Sequence, residues 1–343
     1  RGQRATIVGA TSGDTGGAAI EAFRGRSNCE IFILFPKGRV SPVQQRQMTT
    51  AVEANVHPIA IQGDFDDCQA LVKAMFNDHA FRDAQGLSGV NSINWARIMP
   101  QIVYYFFTAS RLGAPDRPVS FTVPTGNFGD IFAGHAARSM GLSIDRLVIA
   151  TNSNDILART LATGRYEMNP VVTTSSPSMD IQISSNFERL IFEATGRDAG
   201  EVKRLMDGLK QSRAFTLPEA ALSAIRSGFS AGSASEAEVA ATIASFHAEC
   251  GYLADPHTAV GLHVAAVSRR EGSPMITLST AHPAKFPDAV ESACGVRPRL
   301  PDWCGDLMER EERFHVLPVD LAQLESYIAS RSGAPRQQAA NRR

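Results

Sequence analysis

Short apolar runs alternate along the chain with longer segments in which apolar residues recur every three or four positions. The short runs are rich in β-branched residues and predict buried strands over Ala5–Gly9, Glu30–Phe35, Val56–Ile61, Val119–Val123, Leu147–Thr151 and Met275–Ser279. The longer segments predict helices over Gly16–Phe23, Cys68–Phe76, Ala96–Leu112, Ile131–Met140, Asp155–Ala162 and Asn186–Ala194. The alternation predicts an α/β fold of parallel sheets with helices on both faces, in which ligands bind at the carboxyl ends of strands.

The same pattern predicts two open α/β domains. Residues 1–94 form the smaller domain and residues 95–330 the larger one, and residues 331–343 form a disordered tail. A polar stretch, 173–180, interrupts the larger domain and is either a functional loop or a surface excursion. The stretch 230–238, rich in Ala, Ser, Gly and Glu, predicts the capped start of a helix.

The composition argues against several classes of binding partner. The 343 residues are 43% apolar and 20% charged, with a formal net charge of -1, so no overall field draws the protein to nucleic acid or an anionic membrane. The 5 cysteines form no C-x-x-C pair, which is typical of reduced thiols, and the scattered histidines suggest no metal site. We therefore expect a cytoplasmic protein whose partner is a small molecule, with no nucleic acid, membrane or metal.

Two loops at strand-to-helix junctions have the form of anion sites. Pro124–Asp130 follows a predicted strand and carries two glycines before a helix, so that backbone N–H groups converge where the helix N-terminus is positive. The loop has no lysine and therefore suits a single phosphoester better than a polyphosphate. Ala10–Gly17 is a second loop of this kind, although its Ser, Asp and Thr residues are equally good helix caps. Two such loops indicate a phosphorylated cofactor and an anionic substrate.

Three further motifs carry groups that suit ligands. Asn91–Arg97 combines amides with a guanidinium that can bind two oxygens of a phosphate or carboxylate, the alternative being an Asn cap beside a solvated Arg. Leu278–Phe286 ends a predicted strand with hydroxyls, His282 and Lys285, and a strand-end hydroxyl suits a heteroaromatic nitrogen. The alternatives there are a core histidine and a solvated lysine. Asp255–Thr258 predicts a helix start, for which capping is a sufficient explanation.

Taken together, these motifs resemble threonine synthase, in particular its microbial and fungal branch. The matching pieces occur in the family's order and are Thr11–Gly16, Phe35–Ser41, Asn91–Arg97, Pro124–Asp130, Ser178–Arg189, Asp255–Gly261 and Ser279–Phe286. The resemblance implies the fold-type II architecture of pyridoxal-phosphate (PLP) enzymes. It also implies the conversion of O-phospho-L-homoserine and water to L-threonine and phosphate, by a monomer or weak oligomer.

The resemblance also assigns residues to parts of the two ligands. The cofactor phosphate is assigned to Gly126, Asn127, Phe128, Gly129 and Asp130. The pyridine nitrogen is assigned to Thr280, and Asp14 lies near the phenolic oxygen of the ring. The substrate carboxylate is assigned to Ser12, Gly13 and Thr15. The substrate phosphate is assigned to Asn91, Arg97 and Lys37.

The resemblance leaves the catalytic lysine unassigned. In the family this lysine forms the Schiff base with the cofactor and stands in a Phe-Lys-Asp context upstream of the Ser-Gly-Asp-Thr loop. None of the lysines here stands in that context: Lys37, Lys73, Lys203, Lys210 and Lys285. Lys73, Lys203 and Lys210 are expected to be solvated, and Lys285 is an outside candidate. We therefore expect a threonine synthase that lacks its N-terminal segment, with apolar surface exposed after Asn94.

Two other functions stay open from the sequence. A serine/threonine dehydratase-like PLP lyase would share the fold, but it has no substrate phosphate for Asn91–Arg97 to bind. A non-catalytic homologue that binds a phosphorylated ligand would have no need of the lysine.

Overall fold

The computed structural model describes residues 4–269 and 272–332 and divides them into two compact units. The first unit takes in the chain up to Asn91 and again from Arg299 onward, and the second is Ser92–Pro298. The strands are β1 Ala5–Ala10, β2 Cys29–Pro36, β3 Val56–Ile61, β4 Leu87–Gly89, β5 Val119–Pro124, β6 Ile144–Thr151, β7 Arg165–Glu167, β8 Ala214–Thr216, β9 Phe229–Ser233, β10 Met275–Thr277 and β11 His315–Leu317.

The α-helices occupy most of the intervals between the strands. They are α1 Asp14–Phe23, α2 Pro42–Thr49, α3 Phe65–Asn77, α4 His79–Gln85, α5 Trp95–Arg111, α6 Gly129–Ser139, α7 Ile156–Thr163, α8 Phe187–Ala194, α9 Ala199–Ser212, α10 Glu219–Gly228, α11 Glu236–Cys250, α12 Pro256–Ser268, α13 Pro287–Cys294 and α14 Leu321–Arg331. Short 3-10 turns lie at Pro177–Met179, Pro283–Lys285 and Asp302–Cys304.

The first unit is a parallel five-stranded sheet in the order β11-β3-β2-β1-β4. All eight residues of β2 are buried, because successive side chains point to opposite faces and both faces are covered. Ile31 and Ile33 pack into one apolar cluster, which also takes in residues of α1 and α2. Phe32 and Leu34 pack into the other, which takes in residues of α3 and α14.

The second unit is a parallel four-stranded sheet in the order β10-β5-β6-β9, with a separate antiparallel β7-β8 pair. Along β6, Leu147 and Ile149 belong to one apolar cluster, whereas Val148 and Ala150 belong to another. The sheet is therefore buried on both faces, as the sequence predicted for a parallel α/β fold. The carboxyl ends of β5 and β10 bring their following loops to the same edge of this sheet.

Helix α5 carries an exposed apolar stripe. Trp95, Met99, Val103 and Phe107 recur every four residues and are therefore on one face, and they are between 44% and 61% exposed. Exposed apolar surface after Asn94 is what the sequence analysis expects. Among the described residues no helix is both long enough and apolar enough to cross a membrane.

Two boundaries differ from the sequence predictions. Residues 299–330 were predicted to belong to the larger domain, but they join the first unit because β11 pairs with β3 and α14 packs on α3. The tail was predicted to begin at residue 331, but Arg331 ends α14 and Ser332 is buried against the first unit, where its hydroxyl bonds Gln85. The predicted disorder of 333–343 lies outside the described residues.

Three strands of the second unit, β7, β8 and β9, were not predicted. The stretch 230–238 was predicted to start a helix, and Ser235 does cap α11 in a capping box with Glu238. Its first part is instead β9, which pairs in parallel with β6 along five residues, Phe229–Ser233.

Candidate active site

The loop after β5 leads into a start of α6 that no side chain caps. Phe128 precedes the helix in the left-handed conformation, with φ 64, and no side chain caps the helix there. The N–H groups of the first helical turn have no partner within the helix, so they are available to an anion. The left-handed conformation is uncommon outside glycine. It is held here because the buried Phe128 ring packs on Phe187 and Phe229, at centroid distances of 5.3 and 6.1 Å.

The loop is held from behind by the segment that precedes α8. The Ser184 hydroxyl donates to the Gly126 carbonyl at 2.7 Å, and Asn186 donates to the Asn127 carbonyl from its backbone N–H and its side-chain amide at 3.1 and 2.8 Å. Because these bonds use the loop's carbonyls, they leave its N–H groups for a ligand. Gly126 is required by packing, since a Cβ at this position would be 2.6 Å from the Ser178 carbonyl oxygen.

The polar stretch 173–180 is tied to the carboxyl end of β6 by a buried amide network. Asn152 donates to Thr174, Ser176 and Asp180, and Asn154 donates to Asp180 at 3.0 Å. Both asparagines are nearly fully buried. Neither was predicted as a site residue, although two asparagines directly after a buried strand are a local signal of polar contacts. The network anchors 173–180 to the carboxyl end of β6, and its role as a functional loop stays a prediction.

Asp130 lies in the first turn of α6 and carries an unusual carboxyl group. The Tyr105 hydroxyl donates to its backbone carbonyl at 2.8 Å and to its carboxylate at 3.2 Å. Burial raises the pKa of Asp130 to about 6, and the bond from Tyr105 opposes that rise. The carboxyl group therefore exchanges its proton just below neutral pH.

Thr280 is exposed in the loop that follows β10, three residues beyond the end of the strand. Its neighbour Ser279 accepts a hydrogen bond from the Tyr252 hydroxyl at 3.1 Å. His282 is exposed, and its Nδ1 accepts from the Ala284 N–H at 3.1 Å, so the core-histidine interpretation is wrong. Lys285 is half-buried at the end of the next 3-10 turn, so it is not the fully solvated helix lysine of the alternative.

The segment before α5 is connected to the phosphate-loop side of the second unit. The Asn186 amide donates to the Ser92 carbonyl at 3.0 Å, and Arg189 donates to the Ile93 carbonyl at 2.8 Å. Asn94 caps α5 by accepting from the Ala96 N–H, which confirms the cap, and Arg97 lies exposed in the first turn of the helix. Asn91 belongs to the first unit, where it is exposed after β4.

In the first unit, the loop between β1 and α1 is shaped by Thr11 and Gln44. The Thr11 hydroxyl accepts from the N–H groups of Gly13 and Gly16, both at 2.9 Å, so that Thr11 caps the start of α1. Gln44 donates to Asp14 at 3.1 Å and leaves no room for a side chain at Gly13, whose φ is 144. The capping explanation of this loop therefore holds for Thr11.

The other four lysines are exposed to solvent. Lys37 is exposed in the loop after β2, and Lys73 is exposed on α3. Lys203 and Lys210 expose 77% and 79% of their side chains and pair with Asp207, which confirms that they are solvated. Within residues 4–269 and 272–332 no group of three or more His, Cys, Asp or Glu side chains is placed to hold a metal ion.

These observations allow a test of whether the residues fit PLP. The N–H groups and the positive end of α6 suit its phosphate. At Gly129 the nearest atom to a Cβ would be 3.6 Å away, and this room lets a phosphate approach the backbone closely. The exposed hydroxyl of Thr280, at the same edge of the sheet, suits the ring nitrogen. The second unit therefore fits the cofactor.

Comparison with known proteins gives the same result. The pyridoxal-phosphate dependent enzyme family matches residues 1–278, and the family described as threonine synthase, C-terminal, matches residues 258–328. Threonine synthase from Pseudomonas aeruginosa is 52% identical over 331 residues, which cover 96% of this chain and 71% of that protein.

Solved structures agree in fold as well as in sequence. The crystal structure of PLP-bound threonine synthase from Brucella melitensis superimposes with a TM-score of 0.95 at 66% identity and covers 97% of this chain and 72% of its own. Yeast threonine synthase superimposes with a TM-score of 0.88 at 38% identity and covers 96% of this chain and 70% of its own. These matches favour threonine synthase over the dehydratase and the non-catalytic homologue. The chain belongs to the threonine synthase family of pyridoxal-phosphate-dependent lyases.

Proposed function

We propose that this chain binds PLP through the loop Gly126–Asp130 as part of a threonine synthase, which converts O-phospho-L-homoserine and water to L-threonine and phosphate, with the catalytic lysine unassigned. The observation that carries the proposal is the start of α6 after the left-handed Phe128, where no side chain caps the helix and the N–H groups of the first turn are available to an anion. A doubly charged phosphate there is stabilised by charge-assisted hydrogen bonds and by the helix dipole.

The proposed partner of the pyridine nitrogen is the Thr280 hydroxyl. A neutral hydroxyl does not enforce protonation of that nitrogen, as a carboxylate would, and it therefore tempers the electron-withdrawing strength of the ring. When bound, PLP supplies the electron sink that stabilises negative charge on the substrate carbon next to the amine. Asp14, held by Gln44, is proposed to lie near the phenolic oxygen of the ring.

Ser12, Gly13 and Thr15 are the proposed ligands of the substrate carboxylate. They lie at the N-terminus of α1, where the helix dipole favours an anion. The N–H groups of Gly13 and Gly16 already donate to the Thr11 hydroxyl, so Gly13 would contribute no donor of its own. The hydroxyls of Ser12 and Thr15 are thus the expected side-chain donors.

The substrate phosphate is assigned to Lys37, Asn91 and Arg97. All three are exposed, and a guanidinium can bind two phosphate oxygens at once. Retained product phosphate at these residues is proposed to assist the later addition of water.

Proton transfer at the substrate α and β carbons needs a neutral amine, whose pKa must be lowered by burial or by neighbouring cations. Lys285 is half-buried near Thr280 in the chain, but the family's lysine stands in a different sequence context. We therefore propose that this chain binds PLP without a covalent bond to Lys285. The expectation of a cytoplasmic monomer or weak oligomer stands beside this proposal, and size-exclusion chromatography tests its oligomeric part.

The decisive experiment titrates the purified chain with PLP and with pyridoxal, which lacks the phosphate. We expect PLP to bind at least roughly tenfold more tightly, because one charge-assisted hydrogen bond is worth that much. Equal binding of the two ligands would refute the phosphate-loop assignment.

Borohydride reduction of the PLP complex, followed by peptide mass analysis, tests the lysine. We expect no stoichiometric adduct, and a stoichiometric adduct on Lys285 would identify it as the Schiff-base residue after all. Binding of O-phosphohomoserine tests the substrate. Competition by inorganic phosphate is expected for a threonine synthase, and its absence would favour the dehydratase.

A further inference from the structure

A buried carboxylate, Asp255, lies at the N-terminus of α12 and makes more bonds than a helix cap requires. Its Oδ1 accepts from the N–H groups of His257 and Thr258 at 2.8 and 3.3 Å, which are the capping bonds. The same oxygen also lies 3.1 Å from His257 Nδ1, and Oδ2 accepts a short bond from the Thr258 hydroxyl. The three residues are at most 3% exposed, so these bonds are shielded from water.

The first arm of this cluster runs from Asp255 to the phosphate loop. His257 Nε2 lies 3.3 Å from the Ser178 N–H and must accept from it, since a backbone N–H can only donate. The proton of the neutral ring is then on Nδ1, where it is donated to Asp255. Ser178 in turn presses its carbonyl onto Gly126, 2.6 Å from where a Cβ would stand.

The second arm runs from Asp255 toward Thr280. The Thr258 hydroxyl donates to Asp255 Oδ2 and also lies 3.3 Å from the Ser279 hydroxyl, toward which it is the donor. Ser279 also accepts from the Tyr252 hydroxyl at 3.1 Å. Ser279 is the residue directly before Thr280, so this chain of hydroxyls fixes the backbone that presents Thr280.

Close packing keeps the two arms short. Gly261 lets α12 approach the strands so nearly that a Cβ there would be 2.8 Å from Thr277 and 3.1 Å from Pro124. Thr277 ends β10 and Pro124 ends β5, and these are the strands that lead into the two proposed cofactor loops. Helix α12 therefore packs against the carboxyl ends of both strands.

We propose that Asp255 and His257 are positioning residues for the cofactor. Through His257 and Ser178 they set the loop that binds the phosphate, and through Thr258 and Ser279 they set Thr280 against the ring nitrogen. The inference rests on the proposed function, because it takes the two loops to be the PLP-binding loops. It adds that a single buried carboxylate sets the distance between them.

The test of the first arm compares His257→Gln with His257→Asn. The longer Gln side chain places an oxygen near the position of Nε2, where it can accept from Ser178, whereas Asn reaches only the position of Nδ1. Inorganic phosphate and PLP are the probes, titrated against the full chain. We expect His257→Asn to weaken both by roughly tenfold, the worth of one such bond, and His257→Gln to stay within about threefold of wild type.

The test of the second arm is Thr258→Val, with Thr242→Val as its control. Thr242 donates only to the Glu238 carbonyl of its own helix, at 2.7 Å, and is buried to a similar extent. We expect Thr258→Val to shift the absorbance of bound PLP while the affinity for inorganic phosphate is unchanged, because only the ring side has moved. Thr242→Val should change neither. A variant that had only lost stability would change the phosphate affinity and the ring absorbance together.

Nitrogen-15 spectra of the histidine rings test the arrangement in the wild-type chain without ligand or substitution. We expect His257 to be protonated at Nδ1 alone at neutral pH, and a ring protonated at Nε2 would overturn the inference. If wild type binds neither PLP nor phosphate, both the proposed function and this inference fall. If wild type binds both and the His257 pair behaves identically, only the positioning roles fall.

Discussion

Asp130→Asn tests whether the carboxyl group at the start of α6 reduces stability at neutral pH. The substitution keeps an oxygen that accepts from the Tyr105 hydroxyl, so the hydrogen bonds of 2.8 and 3.2 Å need not be lost. What it removes is the negative charge. The buried position makes that charge costly, since burial raises the pKa of Asp130 from 3.8 to about 6.

The sign of the effect follows from proton binding. Between the two pKa values the folded protein keeps a proton that the unfolded chain has released, so the free energy of unfolding falls as pH rises from about 4 to about 6. Above that range the full difference applies, which is on the order of 3 kcal/mol. The side-chain amide of the variant does not titrate and has no such dependence. The variant should therefore gain stability over wild type as pH rises through the range, by up to about 3 kcal/mol at pH 7.5.

Urea denaturation at intervals between about pH 4 and 8, monitored by tryptophan fluorescence, measures this difference. Because other titrating groups are common to both proteins, they cancel in the comparison. Asp116→Asn, which removes an exposed carboxylate, is the control and should follow wild type. Parallel profiles for wild type and Asp130→Asn across the range would refute the reasoning.

Three further predictions concern the ligands. Gly126→Ala would drive a Cβ against the Ser178 carbonyl, so PLP affinity should fall at least roughly tenfold in a titration, and stability should fall by about 1–3 kcal/mol. Gly129→Ala is the control for stability: the nearest atom to its Cβ would be 3.6 Å away, so its unfolding in urea should match that of wild type. Arg97→Ala should weaken O-phosphohomoserine binding strongly by calorimetry and leave PLP affinity nearly intact; a collapse of PLP binding would mean that the two anion sites are wrongly assigned. Thr280→Asp should increase the pyridinium character of bound PLP, and an unchanged absorbance spectrum would contradict the ring-nitrogen assignment.

The sequence predicted the parallel α/β fold because β1, β2, β3, β5 and β6 have six to eight residues and contain β-branched side chains. Strand β9, Phe-Ser-Ala-Gly-Ser, has no β-branched residue, and it is a strand only because β6 offers a paired edge. Strand β11 has three residues and pairs with a strand more than 250 positions earlier, at Ile59–Ile61, which no local pattern indicates. Tertiary pairing decides both elements.

Predictions at the candidate site divide in the same way. Loop sequences indicated the start of α6 because glycines and strand ends are local signals. The sequence predicted Asp255 only as a helix cap. Its proposed positioning roles run through His257 to Ser178 and through Thr258 to Ser279, and those two serines are distant from Asp255 in the chain. The buried amides of Asn152 and Asn154 were missed for the same reason, because their partners lie some 20 residues further along.

The return of the chain to the first unit sets an order in which the two units can be completed on the ribosome. The second unit is one continuous stretch, Ser92–Pro298, and has all of its strands once β10 has been synthesised. The first unit begins earlier but ends later, because β3 keeps an unpaired edge until His315–Leu317 has emerged. An open edge of a parallel sheet is a template for pairing with other chains. During synthesis the edge of β3 therefore stays open to pairing with other chains for as long as the whole second unit takes to be translated.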